Sequence, residues 1–345
     1  MSAPVDLRSD TVTRPTDAVR RAMAAAEVGD DVYREDPEVE ALQEEVAARF
    51  GRQAALFVPS GVMATQIWLR VLARPGTEVV CESDAHVVAY EAGAAAINAQ
   101  VQFRTVDGDR GRLDATRVQG ALRPAAFPYT EVAVVSVEET TNRGGGAVHG
   151  LDRLRAIREV ADARGLALHG DGARLFNALV ATDADPAVVG GAFTGFSFCL
   201  SKGLGAPVGS VMVGDADAIE EARGWRRRFG GAMRQVGVLA AAGRHVLAHH
   251  VERLAEDHAN ARRIAETVAE TAPDAVDADA VETNMVYIDT GALPATDVLD
   301  ALRAQGILAG AMGDRLVRLV THLDVDAAGC RRAAEALART LSGGR

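Results

Sequence analysis

The sequence predicts an α/β protein: a mainly parallel, seven-stranded sheet in a large domain, followed by a small C-terminal α+β domain. Three observations carry that reading. From Ala54 to about Gly214 short apolar runs alternate with helical patterns, the rhythm of parallel strands joined by crossover helices that cover both faces of a sheet. After Pro273 the pattern changes to a sparser alternation of strands and helices. At 345 residues the chain is long enough for two domains of ordinary size. The expected division is an N-terminal arm over residues 1–15, a large domain over 16–245 and a small domain over 246–345.

Taken in order, residues 6–15 are polar, extended and too irregular for a helix, hence an arm. Thr16 can cap a short helix running through Met23, and residues 29–35 read as loop. Asp36-Pro37 then opens a clear helix, with Asp as N-cap, Pro at the first helical position and Val39, Leu42, Val46 and Phe50 on one face. The seven expected strands are 55–58, 78–81, 101–105, 132–137, 166–169, 195–200 and 209–213. Gly144-Gly145-Gly146 is a flexible loop, and no G-x-G-x-x-G follows a strand, which disfavours a dinucleotide fold. Residues 235–271 are mostly helical and can bridge to the second domain. There the expectation is a strand at 284–289, a helix at 296–305, a strand at 315–320 and a last helix ending near Leu341. There are no internal repeats.

Composition narrows the function classes. A net charge of −11 argues against a general nucleic-acid or anionic-membrane binder, although a local arginine cluster can still draw in a small anion such as phosphate. Cys81, Cys199 and Cys330 are odd in number and far apart, so neither a disulfide framework nor a zinc site is expected. The N-terminus lacks the apolar core of a signal peptide and no apolar run approaches the length of a membrane span. A cytoplasmic location is the expectation.

The most informative stretch is Phe196-Ser197-Phe198-Cys199-Leu200-Ser201-Lys202-Gly203-Leu204-Gly205. Of 37 lysines and arginines, 36 are arginine and the single lysine is Lys202. A guanidinium keeps its proton and pairs with carboxylates, whereas a lysine amine can lose its proton when desolvated and condense with a carbonyl. The setting reads as a buried strand emptying into a tight glycine turn. Covalent amine chemistry at Lys202 is therefore the reading to test against a lone surface lysine without function.

Other constellations lie at the same sheet edge. Ser60-Gly61 follows a strand and opens a helix, offering free N–H groups and a positive dipole end to a phosphate, or simply a serine cap. Asp171 and Arg174 follow the strand at 166–169; a carboxylate there can hold a pyridinium nitrogen protonated, or be one half of a structural Asp–Arg pair. His86 follows the strand at 78–81 and can stack on an aromatic cofactor, act as acid or base, or cap a helix. His245, His249 and His250 share one helix without a convincing third ligand, so no metal is expected. Arg226-Arg227-Arg228 reads as a solvated face.

Six stretches in order, Asp6-Leu7-Arg8-Ser9-Asp10-Thr11-Val12-Thr13, Gly29-Asp30-Asp31-Val32-Tyr33, Asp171-Gly172-Ala173-Arg174, Leu200-Ser201-Lys202-Gly203-Leu204-Gly205, Gly231-Ala232-Met233-Arg234-Gln235 and Val317-Arg318-Leu319-Val320-Thr321-His322, resemble the low-specificity L-threonine aldolases. The resemblance implies a pyridoxal 5'-phosphate enzyme of fold type I that cleaves β-hydroxy-α-amino acids to glycine and an aldehyde, reversibly. It implies Lys202 as the covalent anchor of the cofactor, Asp171 at the pyridine nitrogen and His86 stacked on the ring. Ser60, Gly61 and Val62 would hold the phosphate with Arg234 of a neighbouring subunit, with Ser201 and Arg174 also at the cofactor. Ser9, Arg174 and Arg318 would hold the substrate carboxylate, with Tyr33 and Thr141 also facing substrate. The family typically forms homotetramers with sites at dimer interfaces. One departure matters: many members carry a second active-site histidine where this chain has Thr141, which leaves the general base and the threo/allo preference open. Another fold type I activity (serine hydroxymethyltransferase-like, aminotransferase or racemase) and a catalytically silent cofactor-binding protein are the alternatives.

Overall fold

The computed structural model describes residues 4–124 and 126–342. All seven strands expected in the large sheet are present: β2 (Ala54–Val58), β3 (Glu78–Glu82), β4 (Gln102–Val106), β5 (Val132–Glu138), β6 (Ala167–Gly172), β7 (Gly195–Cys199) and β8 (Ser210–Gly214), preceded by a short β1 (Val5–Asp6). Their order across the sheet is β2-β8-β7-β6-β5-β3-β4. β8 runs antiparallel to both its neighbours and the remaining pairs are parallel. The parallel strands therefore all end at one edge, where ligands bind in such sheets.

Strand periodicity explains how the sheet is covered. Ala55 and Phe57 pack into one cluster with Phe50, Phe176, Phe196 and Phe198, while Leu56 and Val58 turn to the opposite face and pack on Ile67, Trp68 and Met212. Edge-to-face rings at 5.0 Å, Phe50 on Phe196 and Phe176 on Phe198, fill the first face. The helix Pro37–Arg49 forms as expected, Asp36 accepting from the Val39 N–H and Val39, Leu42 and Val46 buried.

A second core lies toward the C-terminus. It holds Ile264 and Val268 of the helix Leu254–Thr271, Leu337 of the helix Ala327–Ser342, and residues of strands β9 (Met285–Asp289), β10 (Ile307–Leu308) and β12 (Leu316–Val320); β11 (Gly310–Gly313) pairs with β12 outside it. β11, β12 and β9 form an antiparallel sheet. The arm differs from the expectation of a loose polar segment. Val5 and Leu7 are buried in this second core, β1 pairs in parallel with β10, and the Val320 N–H donates to the Leu7 carbonyl. Residues 1–3 of the expected arm lie outside the described residues. Beyond Leu7 the arm crosses to the large sheet, where the Thr13 hydroxyl donates to the Lys202 carbonyl at 3.0 Å.

Arg226 is the other departure from expectation. Arg227 and Arg228 are exposed, but Arg226 is buried, donating to the Asp31 carboxylate at 2.5 Å and to the Phe57 carbonyl at 2.8 Å. A buried carboxylate demands a counter-charge, and that demand overrides the polar character of the run.

Candidate active site

Lys202 sits where the fully buried strand β7 gives out. The turn that follows is fixed by backbone bonds, Gly205 N–H to the Lys202 carbonyl at 2.9 Å and Ala206 N–H to the Leu200 carbonyl at 3.0 Å. Gly205 has φ +85°, a left-handed conformation that glycine adopts without strain. Lys202 itself is half-buried, at the mouth of the strand.

The neighbouring strand carries Asp171, buried and paired in register with Ser197 on β7 and Glu138 on β5. Around it the chain gathers two further ligand-type side chains. One atom each of His86, Glu91 and Asp171 lie within 4.8 Å of one another. His86 Nδ1 is 3.0 Å from Glu91 Oε1, its ring stacks on Tyr90, and its backbone N–H donates to Glu138 Oε2 at 2.7 Å. The second Glu91 oxygen accepts from Gln66 Nε2 at 2.6 Å.

Electrostatics in this cluster follow from burial and crowding. The hydrogen bond to Glu91 raises the His86 pKa, partly opposed by desolvation and reinforced by the Asp171 charge. Burial raises the Glu91 pKa. Burial first, then the negative Asp171, pushes Glu138 up to about 7. Three acids near one imidazole thus share a site in which ionising all of them at once is unfavourable.

The arginines stand differently. Arg174 is buried and spends Nε and Nη2 on the two Asp10 oxygens, both at 2.7 Å. The guanidinium holds the Asp10 carboxyl far below the usual carboxylate range, against its burial. Arg174 therefore presents a face already filled by a carboxylate from the arm. Arg318 donates Nη1 to Asn142 Oδ1 at 2.8 Å and Nη2 to the Arg8 carbonyl at 3.1 Å, while its buried Nε has no partner among the described residues. Ser9 caps the short turn Asp10–Val12 and accepts from the Thr11 N–H, which places its hydroxyl beside Asp10.

The remaining expected positions divide. Ser60 is exposed and accepts from the Met63 N–H at the head of the helix Gly61–Leu72; at Gly61 a side chain would press on Cys199 Sγ at 2.9 Å, and Val62 is exposed. Ser201 is half-buried next to Lys202. Thr141 is buried, with its hydroxyl donating to the Arg110 carbonyl at 2.9 Å, so it holds the loop rather than offering a free hydroxyl. Tyr33 is exposed on its loop and Arg234 is exposed and paired with Asp30 at 3.0 Å; neither is bonded to the cluster around Asp171 within this chain. Sequence reasoning missed Asp10, Gln66, Glu91, Glu138 and Asn142. Glu91, a carboxylate in an alanine- and glycine-rich stretch five residues past His86, was the one signal available.

This donor set suits a planar, anionic, aldehyde-bearing pyridine: an amine at a strand end, a buried acid on the adjacent strand, an imidazole beside that acid, and a helix N-terminus with a serine cap. Fold and donor set together define the fold type I pyridoxal phosphate enzymes. The chain belongs to the beta-eliminating lyase family, whose profile matches residues 6–291, and within it to the low-specificity L-threonine aldolases. It is 42% identical over 322 residues to the low specificity L-threonine aldolase of Escherichia coli strain K12, covering 93% of this chain and 94% of that one. It is 39% identical over 325 residues to low-specificity L-threonine aldolase 1 of Arabidopsis thaliana, covering 92% and 91%. Its fold matches the threonine aldolase of Leishmania major with a TM-score of 0.82 at 19% identity, over 98% of this chain and 100% of that one.

Proposed function

We propose that this protein cleaves L-threonine, L-allo-threonine and other β-hydroxy-α-amino acids to glycine and an aldehyde, in a reversible retro-aldol reaction that uses pyridoxal phosphate. The observation that carries the reading is the single lysine at the end of β7, one strand from the buried Asp171 and its partners His86 and Glu91. When bound, the cofactor accepts the electron pair freed at the substrate's α-carbon. The chain supplies everything else.

Lys202 would hold the cofactor through its aldehyde, Asp171 would keep a proton on the pyridine nitrogen, and His86 would pack against the ring. The N–H groups of Gly61 and Val62 and the Ser60 hydroxyl would receive the phosphate, with Arg234 from a second subunit. Ser201 and Arg174 stand at the same pocket. Arg318 and Ser9 hold the substrate carboxylate, and Arg174 shapes that end through Asp10. Holding the carboxylate turns the Cα–Cβ bond toward the orientation in which it breaks. His86 donates from Nδ1 to Glu91, which leaves Nε2 to take the β-hydroxyl proton, directly or through one water. Tyr33 reaches substrate from a neighbouring subunit, and Thr141 sets the loop that walls it.

The same reading includes a homotetramer with sites at dimer interfaces, a cytoplasmic location, and the division into an arm (1–15), a large domain (16–245) and a small domain (246–345). Exposed Tyr33 and Arg234 support shared sites. The test is a substrate panel: L-threonine, L-allo-threonine and L-serine are supplied to the holoenzyme, and glycine and aldehyde are measured. Equimolar glycine and acetaldehyde from at least one threonine diastereomer is the expected result. No aldehyde from any of the three sinks the reading.

A further inference from the structure

We propose that Asn142 is a positioning residue that sets the Arg318 guanidinium to receive the substrate's carboxylate, and that Glu138 ties Asn142 to His86 across the site. This rests on the reading of Arg318 as the carboxylate-binding group. Asn142 is buried, and its side-chain oxygen, backbone carbonyl and backbone N–H are all engaged. Its Oδ1 accepts from Arg318 Nη1 at 2.8 Å, its carbonyl accepts from the Tyr287 hydroxyl at 2.8 Å, and its N–H donates to Glu138 Oε1 at 2.8 Å. The amide cannot sit reversed, because a guanidinium only donates and the –NH₂ would then face it.

Glu138 gives the arrangement its reach. Its other oxygen accepts the His86 N–H at 2.7 Å, so one carboxylate spans the histidine turn and the loop that holds Arg318's partner. Arg318 keeps a buried Nε without an acceptor among the described residues, whereas Arg174 has both Nε and Nη2 spent on Asp10. A buried donor without a partner is costly, and a carboxylate is the ligand that relieves it. Asn142 and the Arg8 carbonyl hold that donor in place from the other side.

The test uses the holoenzyme with glycine and with ethanolamine, an amine of similar size that lacks the carboxylate. Asn142→Ala keeps the backbone bonds to Glu138 and Tyr287, so it removes only the contact with Arg318. Titration calorimetry is expected to show glycine binding weakened at least about tenfold and ethanolamine binding unchanged, with KM for L-threonine raised. Should Asn142→Ala fail to fold, Asn142→Asp keeps the shape, pairs with Arg318 in competition with the ligand carboxylate, and is expected to give the same split. Glycine binding within about twofold of wild type, or equal weakening of both ligands, overturns the proposal. Aldehyde release by the wild type is scored separately, so failure of the aldolase reading leaves the binding comparison to judge Asn142 alone.

Discussion

At the scale of single residues, the pairing of His86 with Glu91 decides how the site responds to pH. Glu91 raises the His86 pKa, so the base form of the imidazole appears only as pH climbs through that raised value. Activity should therefore rise on the acid side with a limb set by this pair. Glu91→Gln removes the main cause of the shift and is expected to move the acid limb of kcat/KM to lower pH; a limb that stays in place would remove His86 as the base. Glu91 also marks how much of the site the sequence could show. Lys202 stood out as the single lysine, at the end of an apolar run, and Asp171 because it too follows a local apolar run at a strand end. Glu91 and Asp10 did not, because what makes them functional is burial against Gln66 and Arg174, partners 25 and 164 residues away.

A second residue turns burial into a stability signature. His169 on β6 is fully buried, its Nδ1 2.9 Å from the Ser136 hydroxyl and its Nε2 without a partner among the described residues. Desolvation lowers its pKa to about 4, against a small opposing pull from the Asp171 charge. The unfolded chain binds this proton near pH 6.5 and the folded chain does not until about pH 4. Stability is thus intact above about 6.5 and drains as pH falls through that window, by about 3 kcal/mol at most. Chemical denaturation of His169→Gln from pH 7 to pH 4 is expected to show a shallower loss than wild type. Parallel curves would show that His169 does not titrate as its surroundings dictate.

At the scale of elements, Asp36 shows how one side chain can serve two helices. One oxygen caps the helix Pro37–Arg49 through the Val39 N–H, and the other accepts the Gly237 N–H at 2.8 Å, where the helix Gly237–His249 begins. Asp36→Ala leaves both buried donors unmatched, and a loss of roughly 2–4 kcal/mol is expected, more than an ordinary cap deletion. A loss below about 1 kcal/mol in urea denaturation would mean water replaces both bonds. The first half of this joint was legible, since Asp-Pro before an apolar periodic run is a local signal. The second half was not, because Gly237 lies 201 residues away. The strands divide the same way. The seven large-sheet strands announce themselves as apolar runs, whereas β1 and β10 are two residues each and exist only because they meet. The arm looked free for that reason; its tethers, Val5 and Leu7 in the second core, are isolated apolar residues beside a polar stretch.

At the scale of the whole molecule, the exposed Arg234 and Tyr33 raise the question of whose site they complete. Among the described residues Arg234 is paired only to Asp30, at a side chain more than half exposed, although the proposed function needs its charge at a phosphate. In a symmetric dimer with shared sites, each pocket combines Lys202 of one copy with Arg234 of the other. Two variants then test the arrangement together. Lys202→Ala is expected to be inactive, and Arg234→Ala to bind the cofactor weakly and lose most activity. Mixed by unfolding and refolding, half the dimers contain one copy of each, and in each of those one pocket receives both wild-type residues. Activity is therefore expected to return to about a quarter of the wild-type level. If Arg234 serves the pocket of its own chain, every mixed pocket lacks one of the two groups, and the mixture stays as inactive as its parts.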